Sequence, residues 1–296
     1  MKCSILILLV SLYSLNLNSQ VVLSTDFINE NYKKAPLHNI WTVANRISPR
    51  NGSNVRPDLN VNLVRMIGGI KKVVDGQNVP DLDFDPCRYD STTNAYVYNW
   101  EPLISRLDKI VNSQVDIHQI VLDQPPWAFQ HGYTFIPTDT YDGIHFRENE
   151  RMSHYGNSLP PYDKDAYFDF IAALMTKLID TYGEEKVMSW RFRVGSEIET
   201  PDHWLGAEQD FIEHYANTEK AVRSVLPNAK VGIHTREPNF LYKEGEVKNY
   251  KGEVIKSFAD ALIEYCHDNN VHYDFWGISD YVIIVNAGKR DMKPKY

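Results

Sequence analysis

Apolar residues between Asp165 and Tyr182 recur at steps of three and four: Tyr167, Phe168, Ile171, Leu174, Met175, Leu178, Ile179 and Tyr182. That period puts them on one stripe of an amphipathic helix, and Gly183 supplies its stop. Weaker stripes predict helices over Trp100–Val111, Ala207–Leu226 and Ser257–Asn269. Between them lie short apolar or alternating runs: Ile40–Ile47, Val61–Ile67, Val115–Leu122, Val187–Val194, Lys230–His234 and Val271–Ile278. Each has the length of a buried strand.

Strand and helix therefore alternate, which predicts an α/β chain with parallel strands and helical crossovers, either an open doubly wound sheet or a closed barrel. No GxGxxG follows the first strand, so the dinucleotide-binding version of the open sheet loses ground. The expectation is a (β/α)8 TIM-type barrel. Such a barrel needs eight strands, and six are used by Ile278, so it is expected to be incomplete at its C-terminus. Two Pro-, Asp-, Tyr- and Gly-rich insertions, Gly68–Glu101 and Trp127–Lys164, follow the second and third strands. On this fold they belong to the C-terminal face, where substrates bind.

Composition changes the picture at the N-terminus first. Lys2 precedes a short apolar run ending near Asn18, the build of a secretory signal peptide, expected over residues 1–19 with a partial barrel domain over 20–296. The run is short and serine-rich for a bilayer span, which needs about 20 apolar residues, so no membrane span is expected in the mature chain. The expected localisation is secreted or periplasmic, with membrane anchoring as the alternative. Cys3 would leave with the leader, and Cys87 and Cys266 alone cannot make a disulfide-built scaffold, so the fold rests on its core. A net charge of -8 argues against a nucleic-acid partner. His145 and His154 lack HExxH spacing, so no metal is expected, and no cofactor is called for.

The stretch VMSWRFRVGSEIETPDHW, Val187–Trp204, carries the candidate chemistry. By the two-residue period of strands, Trp190, Phe192 and Val194 share one face, and Arg191, Arg193, Gly195 and Glu197 the other. In a barrel the charged face lines the interior and ends with Glu197 at the mouth, where burial and neighbouring charge can tune a carboxyl for acid/base work. In an ordinary sheet the same alternation would be a solvated face.

From Pro160 onward the order is a Pro-containing loop, the long helix, TYGEEKV, the strand with an acid at its end, and a Trp soon after. This resembles glycoside hydrolase family 39 and its clan A relatives. NLVRMIGG, YNWEPLISRLDKIVNSQVDI, AVRSVLPNAKVGIH and YDFWGISDY are similar to the family's second strand, the approaches to its third and fifth, and its sixth. The resemblance implies a retaining O-glycoside hydrolase acting on a poly- or oligosaccharide, with Glu197 as general acid/base and Glu199 as the lesser candidate. It places Arg65 and Arg193 beside the carboxylates and Tyr281 at its matching position. Trp127 and Trp204 follow strand ends and are candidate sugar-stacking rings, or else loop packing. His234, at the end of the fifth strand, faces substrate or is simply a satisfied histidine.

Two departures stand out. Ser196 replaces the family's Asn and Gly195 a common bulky aromatic, which suggests extra room around the sugar and a differently substituted ring. Ser279 stands where relatives often carry His. The strand for the nucleophile would lie beyond Tyr296, and no residue present takes that role. The alternative reading is therefore a non-catalytic glycan-binding barrel or inactive fragment. An α/β hydrolase is disfavoured because no GxSxG elbow occurs.

Overall fold

The computed structural model describes residues 44–45, 63–64, 67–112, 119–132, 152–153, 156–198, 203–235, 258–278, 283–286 and 289–294, all within the compact unit Ile40–Tyr296. The expected leader, Arg65, Glu199, Ser279 and Tyr281 lie outside the described residues. Six parallel strands form one sheet: β1 (Ala44–Asn45), β2 (Leu63–Val64), β3 (Gln119–Val121), β4 (Arg191–Val194), β5 (Lys230–Thr235) and β6 (Phe275–Ile278). Their spatial order equals their chain order, and every neighbouring pair is parallel. A doubly wound sheet reverses order at a switch point; a sheet that never reverses is the arc of a β/α barrel.

Among the described residues four helices of 11 residues or more cross between these strands or precede them: α1 (Glu101–Val111), α2 (Lys164–Tyr182), α3 (Glu208–Val225) and α4 (Phe258–Asp268). In α2, the Asp163 side chain accepts the Ala166 N–H at 2.9 Å as N-cap, and Gly183, with φ +83, ends the helix by donating to the Ile179 carbonyl. Tyr167, Phe170, Ile171, Leu174, Met175 and Leu178 on its inner stripe are buried. Each such side chain contributes about 2 kcal/mol by leaving water. This stripe packs with Trp190, Phe192 and Val194 of the β4 region in one core.

The inner face of the sheet is different. In register across it lie Val121, Arg193, Gly232 and Phe275. A Cβ at Gly232 would come within 2.7 Å of the Phe275 ring, so the glycine makes room for that ring inside the barrel. The Arg191 guanidinium carbon lies 5.5 Å from the same ring's centre. Arg193 is buried there.

Two expected strands begin later than their apolar runs. Val187 and Met188 belong to a short helix, Glu184–Met188, because Gly183 ends α2 and the next turn buries Val187 before the strand starts at Arg191. Val271 closes α4 by donating to the Cys266 carbonyl, and β6 starts at Phe275. The first insertion is more ordered than a loop. It holds two hairpins, Lys71–Val74 with Gln77–Pro80 and Cys87–Asp90 with Ala95–Tyr98. In the first, Asp75 and Gly76 have φ of +50 and +80, the conformation a two-residue hairpin turn requires.

Asp85, between those hairpins, ties the insertion to the next loop. Its buried carboxylate accepts the N–H of Gly69 at 2.7 Å and of Trp127 at 2.5 Å, while the Trp127 indole N–H donates to the Ile70 carbonyl at 2.7 Å. Burial pushes the Asp85 carboxyl up to about 7, against the pull of the two N–H donors and of Arg88 and Arg106. Asn157 adds a second tie, donating from its backbone to Gly69 and from its amide to Pro125.

Candidate active site

At the C-terminal ends of β3, β4 and β5 the ladder gives way to side-chain contacts. β4 stops at Val194, and Gly195 and Glu197 both turn left-handed, with φ of +81 and +50. Their N–H groups can no longer pair in the ladder. The Gly195 N–H donates to Asp123 Oδ1 at 3.1 Å, just beyond β3, and the Glu197 N–H donates to His234 Nδ1 at 3.1 Å, on β5. His203 completes the turn by donating from Nδ1 to the Ser196 carbonyl. Glu197 therefore reaches the mouth of the arc through a built turn, and strand alternation, which ends at Val194, does not set its direction.

Gly195 is needed twice over. A Cβ there would lie 2.6 Å from Ile198 Cγ2 and 3.0 Å from the Phe211 ring, and the backbone is left-handed besides. The expectation of extra room around the sugar is corrected on that point: Ile198 and Phe211 fill the space beside Gly195.

Beside the turn the described residues line a narrow cleft, among them Asp123, Gln124, Ser158, Ser196, Trp204 and His214. Gly195, Ser196 and Ile198 of the turn line this cleft, and Glu197 is not among its lining residues. His214 sits 5.2 Å from the Trp204 ring and 5.1 Å from that of Tyr167, and burial lowers its pKa to about 3, which keeps it neutral.

Of the residues expected at the site, Glu197, Ser196 and His234 come together at the turn. Arg193 lies below them on the inner face, two residues before Gly195 on β4. Trp204 is buried beside this cleft, its indole N–H donating to the Ala207 carbonyl at 3.1 Å. Trp127 is packed in the Asp85 junction and is only 5% exposed, which leaves little ring face for a sugar. Asp123, His203 and His214 were not singled out from sequence. Asp123 follows a strand directly, so the strand-end rule that selects Glu197 would have found it. Among the described residues no cluster of three or more His, Cys, Asp or Glu side chains is placed to hold a metal, and no helix is long and apolar enough to cross a membrane.

Residues 147–288, which include the whole turn, match the pattern of glycosyl hydrolases family 39. An alpha-1,4-L-rhamnosidase of Formosa agariphila is 34% identical over 273 residues, 91% of this chain and 51% of that protein. The chain is glycoside hydrolase family 39-like. Solved structures agree on the fold. A family 39 enzyme from Xanthomonas axonopodis pv. citri superposes with a TM-score of 0.50 at 19% identity, covering 80% of this chain and 39% of that one. A monomeric beta-xylosidase from Caulobacter crescentus gives 0.50 at 15% identity, covering 76% and 36%. The chain thus spans about half the length of the rhamnosidase and less of the solved structures, consistent with an incomplete barrel. The family 39 match takes in Arg193, Glu197, Trp204, His234 and Tyr281, and leaves Arg65 and Trp127 outside it.

Proposed function

We propose that this chain carries the acid/base half of a retaining O-glycoside hydrolase acting on a poly- or oligosaccharide, with Glu197 as the catalytic acid and base. The observation that carries the reading is a carboxyl residue held left-handed at the end of the fourth parallel strand, with backbone donors accepted from the strands on both sides. A non-glycine residue in that conformation costs about 1 to 3 kcal/mol and persists where its surroundings hold it, which is characteristic of active sites.

In the reaction, the protonated Glu197 carboxyl gives its proton to the glycosidic oxygen as the bond to the anomeric carbon breaks. A second carboxylate, about 5 to 5.5 Å away in retaining enzymes, attacks that carbon. The ionised Glu197 then takes a proton from water, which attacks the anomeric carbon and releases the second carboxylate. By the family pattern that second carboxylate stands at the end of the seventh strand. The names of the rhamnosidase and of a beta-xylosidase of Geobacillus stearothermophilus, 37% identical over 78 residues, suggest a substrate class. Rhamnose ends in a methyl group and xylopyranose has no sixth carbon, so the favoured glycone is one without a C6 hydroxyl. The leader-like N-terminus supports action outside the cytoplasm.

The test uses the 296-residue chain and the same chain joined in frame to any coding sequence that follows it, each beside Glu197→Gln. Aryl rhamnosides and xylosides are compared with glucosides and galactosides, and proton NMR reads the anomer first released. Hydrolysis with retention, lost in the variant and strongest on rhamnoside or xyloside, supports the proposal. Activity indifferent to the variant would show Glu197 to be the wrong residue. Saturable glycan binding without turnover in both forms would favour the glycan-binding barrel.

A further inference from the structure

We infer that His234 is a positioning residue: its Nδ1 fixes the main chain of Glu197, and this is its principal duty at the site. The inference rests on the reading of Glu197 as acid/base. A ring nitrogen that accepts an N–H cannot itself carry a proton, so the 3.1 Å bond from the Glu197 N–H requires a neutral imidazole with its proton on Nε2. This contact replaces a ladder bond at the point where Glu197 leaves the strand geometry with φ +50. Without an acceptor there, a partly buried N–H would go unpaired and the left-handed residue would lose one of its restraints.

The ring is itself held in place. Gly277, opposite His234 in the β5–β6 register, lies close under the ring: a Cβ there would come 3.0 Å from His234 Cδ2, tight enough to press on the imidazole, and 3.6 Å from its Cβ, an ordinary contact. The imidazole is therefore seated against bare backbone on the β6 side while Nδ1 reaches back to β4. Glycine at 277 and histidine at 234 form one device that carries the position of β6 into the placement of the acid/base.

Side-chain chemistry separates this role from sugar binding. Asparagine places its carbonyl oxygen at the branch position of Nδ1 and can accept the Glu197 N–H, but it has nothing at Nε2. Glutamine reaches the Nε2 position and lacks an acceptor at Nδ1. Positioning therefore predicts that His234→Ala and His234→Gln lose about 100-fold in kcat, the effect of a catalytic group misplaced by roughly an ångström, with KM little changed. His234→Asn should recover kcat at least tenfold over alanine. Gly277→Ala, which presses on the ring without altering it, should lower kcat in the same direction and by less than His234→Ala. The opposite ranking, with glutamine rescuing and asparagine failing, or a rise in KM at constant kcat, would overturn the inference in favour of a sugar contact.

A readout independent of turnover accompanies these assays. Two-bond nitrogen–proton NMR on the histidine-labelled chain, with His234 identified by its loss in His234→Asn, should show Nδ1 unprotonated and Nε2 protonated. The Glu197 amide resonance should shift strongly in the alanine and glutamine variants and little in the asparagine variant. A protonated Nδ1, or an amide indifferent to all three, refutes the positioning role whether or not the chain is active. If the NMR result is as expected and no form hydrolyses any glycoside, the proposed reaction fails while the structural role of His234 stands.

Discussion

Replacing Gly195 by alanine adds one carbon to the turn before Glu197, and the structure states what that carbon meets. The backbone at φ +81 disfavours any Cβ, by roughly 1 to 2 kcal/mol. The added atom would also lie 2.6 Å from Ile198 Cγ2 and 3.0 Å from the Phe211 ring, both on buried side chains, and overpacking of that kind costs about 1 to 3 kcal/mol. Alanine also restricts the unfolded chain, which returns about 0.4 to 1 kcal/mol. The expected net loss is about 1 to 4.5 kcal/mol, a fall of up to roughly 1.5 M in urea midpoint for a chain of this size. Urea unfolding followed by tryptophan fluorescence measures it. A double-mutant cycle with Ile198→Ala isolates the crowding: with the methyl group gone, the two changes should be non-additive by at least about 1 kcal/mol. Additivity, or a Gly195→Ala loss below about 1 kcal/mol, would refute the account of why glycine stands here.

Other consequences can be read the same way. Asp163→Ala removes the N-cap of α2 and should cost about 1 kcal/mol in urea unfolding, while Phe192→Ala, emptying a fully buried site between sheet and helices, should cost about 3 to 5. Asp85 and His214 should give stability opposite pH slopes. The folded state holds the Asp85 proton up to about pH 7 against an ordinary value of 3.8, so that contribution falls as pH rises between them and is absent from Asp85→Asn. The folded state resists protonating His214 down to about 3 against an ordinary 6.5, so that contribution is lost as pH falls through this window, and His214→Gln should remove the loss. Urea midpoints of the three proteins across pH 4 to 7 check both signs; matching wild-type and variant slopes would count against the corresponding burial.

The helices were legible because one period governs a whole stripe: the residues from Tyr167 to Leu178 repeat the same geometric statement several times. Strand starts were less so. Val187 and Met188 read as strand because an apolar run carries no mark of the turn that Gly183 forces on it. The hairpin at Asp75–Gly76 was legible in principle, since Asp-Gly between alternating runs is a turn signal, but it lay inside a segment read as loop on composition. At the site, Glu197 and His234 follow from one rule about strand ends. Their bond does not, because it joins residues 37 apart whose approach depends on the stagger of neighbouring strands. Asp123 is a contact of the same long-range kind, 72 residues from Gly195, whereas His203 reaches back only 7 residues, across a turn that the strand period does not describe.

This division of labour bears on the departure at Ser196. The N–H of Gly195 is fixed by Asp123, and the peptide between Ser196 and Glu197 is held at its carbonyl by His203 and at its N–H by His234, so two peptides of the turn are held by side chains from elsewhere in the sheet or its loops. None of those three bonds uses the Ser196 hydroxyl. Those three bonds are made by main-chain groups that serine and asparagine share, and Ser196 lines the cleft with Asp123 and Trp204, where a ligand would meet it. On that argument Ser196→Asn should change the unfolding free energy measured in urea by about 1 kcal/mol or less, while shifting the preference among rhamnoside, xyloside and glucoside. A large loss of stability with preference unchanged would mean that the serine serves the fold.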